Sequence, residues 1–456
     1  MKNTEIHLIG FILILYFSII LQGPNIISNE QDNKDYSNIV PQLATSESPV
    51  IEWARRWGGS KSGIDIGNGV AVDSSDNVYL AGETLSFGAG GYDMVLVKYN
   101  SSGVQQWNRT WGGSSHDFGE GVAVDTSDNV YLAGTTSSFE AQEWDMVLVK
   151  YDSSGVQQWS RTWGGTDDDV GNGVAVDSSD NVYLAGYTES FGAGHYDMVL
   201  VKYDSSGVQQ WNHTWGGSEY DDGMGVAVDS SDNIYLAGGT ASFGAGGGDM
   251  VLVKYNSSGV EQWNRTWGGI GFEIFNGVAV DSSDNACAVG ETESFGAGGS
   301  DIVLVKYDSS GVQQWNHTWG GSEYDSGMGV AVDSLDIVYL AGTTSSFEAQ
   351  EWDMVLVKYN GSGVQQWNTI YGRRDNDAGH GVAVDSLGKV YLAGYTNRIG
   401  AYHLEMVLLK YDIVEDVKEK TDLVIPFELI IIASVIGGGA VIGVVVVVLL
   451  RRKRKS

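Results

Sequence analysis

The sequence predicts an all-β fold: a seven-bladed β-propeller of four-stranded blades, closed by an N-terminal strand and followed by a C-terminal transmembrane helix. Three observations predict it. The segment GVAVDSSDNVYLAG begins at Gly69 and returns, altered in places, at Gly121, Gly173, Gly225, Gly277, Gly329 and Gly381, a spacing of 52 residues each time. A constant period of this size, carried by strand-like residues, is the signature of a repeat architecture. Each repeat holds four strand-like runs separated by turn signals. Finally, a lone copy of the last run, EWARRW from Glu52, stands in front of the first full repeat.

Strand a is GVAVD, and the turn DSSDN leads into strand b, VYLAG. A longer loop such as ETLSFGAGGYD precedes strand c, MVLVKY, and an NSSG or DSSG turn precedes strand d, VQQWNRTW. Strands b and c are apolar on both alternating faces, as Val95 and Val97 against Met94 and Leu96 illustrate. Such strands need cover on both sides, which stacked blades supply without helices. Strand d carries polar residues, as an outermost strand should, and its two Trp (Trp107 and Trp111) share one face for packing between blades. Strands a, b and c occur seven times, strand d six times in the array and once in front, so the leading strand completes the last blade. Closure removes exposed sheet edges, and an open β-solenoid would have no use for the displaced strand.

Composition and the chain ends bound the rest. Sixty-three glycines and four prolines in 456 residues suit many tight turns. A net charge of −32 argues against nucleic acid, whose phosphates need clustered Lys and Arg. The single cysteine, Cys287, excludes an internal disulfide and reads as a buried small residue where other blades have Tyr. Residues 1–23 read as a signal peptide or N-terminal anchor, with an apolar run from Leu8 to Leu21. Residues 24–50 form a polar linker, 51–412 the propeller and 413–422 a short stem. Residues 423–450 are the transmembrane segment, its core the uninterrupted apolar stretch from Leu429 to Leu450. The basic tail 451–456 then stays in the cytoplasm and leaves the propeller outside the cell, on a single-pass anchor.

Runs such as DMVLVKYDSSGVQQWSRTWGGTDDDVGNGVAVDSSDNVYLAGYT resemble the SBBP-type β-propeller repeat of microbial cell-surface proteins. The resemblance covers residues 52–412. It implies a seven-bladed propeller in an extracellular or envelope setting and no single activity, so function has to be argued from the site. One departure stands out: the pattern has Gly where this chain has Asp in DSSDN, as at Asp76.

Strand alternation puts the short a–b and c–d turns on one face and the longer, variable d–a and b–c loops on the other. The tether to the membrane leaves from the tight-turn face, so the variable face looks outward. Two features of it are candidate sites. Four residues before each GVAVD glycine stands an acid: Asp65, Asp117, Asp169, Asp221, Glu273, Asp325 and Asp377. Ringed at the pore mouth, these would offer Ca²⁺ its oxygen ligands; otherwise each caps its own loop through backbone N–H groups. No other cofactor is expected. The residue before the acid that opens strand c is Tyr92, Trp144, Tyr196, Gly248, Ser300, Trp352 or Leu404. Tyr92, Trp144, Tyr196 and Trp352 are aromatic platforms for sugar rings, or else pack between blades. Glycosylation sequons fall at Asn100, Asn256 and Asn360 in c–d turns and at Asn108, Asn212, Asn264 and Asn316 on outer strands, none in the outward loops.

Catalytic motifs of the GxSxG, HExxH and CxxCH kinds are absent, and the seven His are scattered. The expected function is therefore a membrane-anchored, non-enzymatic binding or adhesion module for a glycan or surface protein. The alternative is a structural envelope component holding Ca²⁺, with a propeller-type hydrolase or oxidoreductase behind both.

Overall fold

A computed structural model describes residues 46–59, 63–139, 141, 143–347, 351–372, 376–397 and 403–416. The expected signal segment, transmembrane segment and basic tail lie outside the described residues. The remainder is all β: 28 strands in seven four-stranded antiparallel sheets. Blade 1 is typical, with strands 1a (Asp65–Val72), 1b (Val78–Thr84), 1c (Asp93–Tyr99) and 1d (Gln105–Trp111). Blades 2 to 6 repeat this order, their a strands opening at Asp117, Asp169, Asp221, Glu273 and Asp325.

Blade 7 combines strands 7a (Asp377–Val384), 7b (Val390–Asn397) and 7c (Leu404–Asp416) with the N-terminal strand 7d (Ser46–Trp57). The leading strand thus closes the ring. Strands 7c and 7d run on past the expected limits of 51 and 412 because they pair with each other, Ser46 opposite Asp416. Each a strand also starts four residues earlier than the GVAVD pattern suggests, at the acid itself. Three residues beyond that acid the strand carries a bulge, as between Gly67 and Gly69, which periodicity reads as a break.

The seams between blades are the core. Strand a of each blade contacts strand a of both neighbours, which places the a strands innermost. Every residue of strands 1b and 1c is buried. At the seam of blades 1 and 2, Tyr79, Ala81, Met94 and Leu96 pack against Val130, Leu132, Val147 and Val149, and an equivalent cluster fills each seam. Full burial of one such side chain is worth about 1.5–3 kcal/mol. The strand-d Trp behave as expected: Trp107 and Trp111 both pack on the seam cluster, and Trp111 lies 4.9 Å from Phe139 of the next blade. Cys287 is fully buried, and burial pushes its thiol up to about 12, so it is inert.

Two polar devices recur at the seams. On the tight-turn face, the second Asp of DSSDN adopts a left-handed conformation (φ 59° at Asp76) that usually favours glycine. Its carboxylate accepts from the turn of the preceding blade: the Ser74 N–H and hydroxyl both donate to Asp128 at 3.0 Å, and those of Ser386 to Asp76 at 3.1 and 3.2 Å. The Asp that departs from the repeat pattern is therefore an interblade clasp. On the outer wall, the Trp107 indole N–H donates to the Ser153 carbonyl in the next blade's c–d turn at 3.3 Å. Arg109 donates to the Gly155 carbonyl of the same turn at 2.6 Å, its guanidinium 5.3 Å from the Trp107 ring.

The seam between blades 7 and 1, where the chain ends meet, carries the full set: Trp53 to Ser101, Arg55 to Gly103 and the Asp76 clasp. The seam between blades 6 and 7 does not. Gly388 stands in place of the clasp aspartate and Thr369 in place of the arginine. Strand 7c runs on to Asp416 instead of turning, and the Trp367 indole N–H is buried without an acceptor among the described residues. A Cβ at Gly388 would meet nothing within 4 Å, so Gly388→Asp has room to clasp Ser334. In a double-mutant cycle of Gly388→Asp with Ser334→Ala, read by urea unfolding, we expect a favourable coupling of about 0.5–1 kcal/mol. A coupling of zero would show that the carboxylate does not clasp.

Candidate functional site

The seven acids that open the a strands do not ring the mouth; each is buried within its own blade, between 0% and 2% exposed. Asp117 accepts from the Thr136 hydroxyl, from the Ser138 hydroxyl at 2.9 Å and from the Gly113 N–H at 2.8 Å. Asp65 repeats this with Thr84, Ser86 and Gly59, and Glu273, longer by one methylene, with Thr292, Ser294 and Gly269. These acids therefore tie the d–a loop to the b–c loop. The WGG glycine explains the closeness. A Cβ at Gly112 would lie 2.6 Å from Asp117 Oδ2 and also collide with the carboxylate of Asp93, the acid that opens strand 1c. Among the described residues, no three of His, Cys, Asp and Glu converge as metal ligands.

The aromatic candidates stand on the outward face, half-buried at blade junctions. Their backbone carbonyls also anchor the next blade, as Tyr92 accepts from the Asp117 N–H at 2.7 Å and Trp352 from the Asp377 N–H at 2.7 Å. The side chains fall into separate groups. Tyr92 and Trp144 flank Phe118, with ring centroids 5.4 and 5.3 Å away. Tyr196 packs between Tyr187 and Tyr220 at 4.7 and 5.2 Å. Trp352 meets Tyr324 edge-on at 5.2 Å. Gly248 and Ser300 are buried and Leu404 half-buried.

Of these, Trp352 borders a cavity of about 500 Å³ at the mouth, lined from the innermost strands and outward loops of blades 4 to 7. Phe272, Tyr324, Trp352 and Tyr395 supply aromatic wall, Met224 and Met328 thioethers, Asn276, Asn376 and His380 polar groups, and Glu291 a carboxylate. The Tyr324 hydroxyl donates to Glu291 Oε1 at 2.9 Å. Burial and Glu291 push that phenol up to about 12, which keeps it a donor. Thr343 also lines the cavity, and its buried hydroxyl has no hydrogen-bond partner among the described residues. Buried polar groups are ordinarily paired, so an orphaned hydroxyl on a cavity wall suits a ligand's oxygen or nitrogen. Sequence reasoning missed Tyr324, Tyr395, Glu291 and Thr343. Their signal was available: they stand where the repeats differ most, beside the strand-a acid and just after the glycine that ends VYLAG or its variant.

The bulged residue of each a strand forms a second row: Asn68, Glu120, Asn172, Met224, Asn276, Met328 and His380. Asn68, Asn172 and Asn276 each donate to the glycine carbonyl of the next blade at 2.8–2.9 Å. Where blades 7, 1 and 2 meet, the row becomes a network. His380 Nδ1 lies 2.8 Å from Asn68 Oδ1, and Asn68 Nδ2 donates to Glu83 Oε2 at 2.8 Å. With the amide thus oriented, the His380 ring donates through Nδ1, and burial lowers its pKa to about 4, so it is neutral. Glu83 faces Glu120. Burial, then the charge of Glu120, hold Glu83 well above the usual carboxylate range, and burial raises Glu120 to about 7.

The sequons follow the expected layout. Asn100, Asn256 and Asn360 cap their c–d turns, each Oδ1 accepting two backbone N–H groups. Asn108, Asn212, Asn264 and Asn316 are exposed on the outer wall.

The fold and its mouth define a propeller whose variable loops surround a central cavity. Residues 52–88, 106–140, 158–191 and 366–399 match the SBBP beta-propeller repeat, and the described residues form a seven-bladed propeller. Regulatory protein FlaEY of Caulobacter vibrioides is 28% identical over 138 residues, 26% of this chain and 14% of that protein. An uncharacterized WD repeat-containing protein of Acanthamoeba polyphaga mimivirus is 21% identical over 284 residues, 46% of this chain and 20% of that one. The chain thus matches a fifth or less of either relative's length. Among solved structures, a protein of unknown function from Dyadobacter fermentans aligns over 80% of this chain and 99% of its own (TM-score 0.45, 9% identity). The beta-propeller domain of the Trilobed protease from Pyrococcus furiosus aligns over 76% and 95% (0.45, 10%), and a putative gluconolactonase over 82% and 94% (0.38, 10%). Likeness at this level assigns no activity to this chain.

The carboxyl pair makes stability depend on pH. The folded chain holds the Glu120 proton up to about pH 7, whereas an ordinary glutamate loses it near 4.5. The proton is bound more tightly when folded, so this contribution is complete below about 4.5 and is lost as pH rises through about 7. Urea unfolding at about pH 5 and about pH 8 should show the decline in the wild type, and Glu120→Gln should flatten it. An equal decline in the variant would place its origin elsewhere.

Proposed function

We propose that this protein is a non-enzymatic recognition module, anchored to the cell membrane by its C-terminal segment, that binds a glycan at the outward mouth of its propeller. One observation carries the reading. In a ring of nearly identical blades, variation and aromatic side chains gather at the mouth, around a cavity with a buried, unpaired hydroxyl. Aromatic faces cover the apolar faces of sugar rings, while amides and hydroxyls take up their oxygens.

The exit of the chain supports the orientation. Ser46 and Asp416 are paired at the tight-turn end of blade 7, opposite the cavity, so a membrane anchor beyond Asp416 leaves the mouth facing away. The sequons on the outer wall and tight turns keep attached sugars clear of it as well.

A glycan array probed with the purified full-length chain is the direct test. Trp352→Ala should weaken the selected ligand roughly tenfold or more, as loss of a central aromatic anchor does. Trp144→Ala, whose ring stacks on Phe118 away from the cavity, should change it little. Undiminished binding in Trp352→Ala would remove this cavity as the site.

A further inference from the structure

Glu291 and Glu83 occupy the same position in blades 5 and 1, at the end of strand b, but their surroundings are opposite. Glu83 is 8% exposed, its Oε2 accepts the Asn68 amide, and Glu120 beside it favours the protonated form. Its charge is quenched inside the protein. Glu291 is half-buried on the cavity wall, where Tyr324 donates to Oε1 and no described residue donates to Oε2. Among the described residues lining the cavity there is no Lys or Arg, and His380 is neutral. The cavity therefore presents one carboxylate with an open oxygen, beside the rings of Tyr324 and Trp352.

A carboxylate flanked by aromatic rings is a receptor for an ammonium group, through a charge-assisted hydrogen bond and cation–π attraction. It disfavours acidic sugars, and so does the net charge of −32. We infer that the glycan taken by this cavity carries a free, protonated amine, with Glu291 as its counter-ion and the Thr343 hydroxyl as a second polar contact. The inference rests on the glycan reading above and narrows it to amino sugars that are not N-acetylated.

The test compares a glucosamine tetrasaccharide with its fully N-acetylated form by calorimetry on the full-length chain, at about pH 6, where the sugar amine is protonated. The amine form should bind about tenfold tighter or better, and rising ionic strength should erode that advantage. Glu291→Gln should reduce its affinity to that of the acetylated form, whereas Glu83→Gln should leave the preference intact. An unchanged melting temperature in Glu291→Gln excludes misfolding as the cause. Equal or tighter binding of the acetylated sugar by the wild type overturns the amine inference and leaves the glycan reading standing. Preference retained in Glu291→Gln overturns the assignment of the counter-ion. No binding of either sugar, together with a blank glycan array, fails the glycan reading itself.

Discussion

Sheets that are apolar on both faces cannot lie at a surface. In blades 1 to 6, strands b and c are buried at every position or at all but one, so each sheet has to be sandwiched between two others. A row of such sheets would leave its two end faces in water; a ring leaves none. The leading strand 7d follows from this constraint. It completes the last sheet from the first part of the chain, so the seam between blades 7 and 1 is stapled by strand pairing within one blade. The apolar seams hold the ring together without any disulfide.

The polar trimmings at each seam add register more than energy. A left-handed Asp costs on the order of 1 kcal/mol relative to a relaxed backbone, and a hydrogen bond returns about as much. The exchange still fixes one turn against the next, since both an N–H and a hydroxyl have to reach the same carboxylate. Blades 6 and 7 meet without it because Gly388 replaces the aspartate, and they lack the outer-wall contacts as well because strand 7c runs on to Asp416 with no c–d turn. The loss of the c–d turn contacts is thus a consequence of closing the ring with the opposite end of the chain, and it falls beside the closure, not on it.

Most of the fold was legible in the sequence because the repeat reports it seven times. Strand order, the closing strand, the interblade role of Trp107 and Trp111 and the burial of Cys287 all follow from period and alternation. The early start of the a strands was not legible, since the bulge at Asn68 breaks alternation between Asp65 and the GVAVD run. Nor was the burial of the seven acids. The cap is the better reading of an acid near a loop, and the partners of Asp117 (Gly113 before its strand, Thr136 and Ser138 after the next) bear that out while adding a buried tie between two loops. Alternation places the aromatic candidates on the face of the longer loops, where they stand, but sequence cannot group them. Trp144 and Trp352 share a local motif and stand in different surroundings, because the start of strand a offers Phe118 to the first and Tyr324 to the second.

Repetition also changes what a deviation means. When the same position is sampled seven times on the same backbone, residues that merely hold the blade converge, and those that differ are released from that duty. The end of strand b holds Glu, Thr, Tyr, Gly, Glu, Thr and Tyr in blades 1 to 7. The two glutamates there are not equivalent, because the following blade brings a different bulged residue to each. Both Asn68 and Asn276 donate to the next blade's glycine carbonyl, but Asn68 also donates to Glu83, and the following blade brings Glu120 there and Met328 to blade 5. One carboxyl is therefore satisfied by the protein and the other is left to the cavity. The difference arises from a few substitutions in neighbouring loops and blades: Glu120 against Met328 at the bulge, and His116 against Tyr324 before strand a. A uniform scaffold can in this way carry a specific site without any change in its frame.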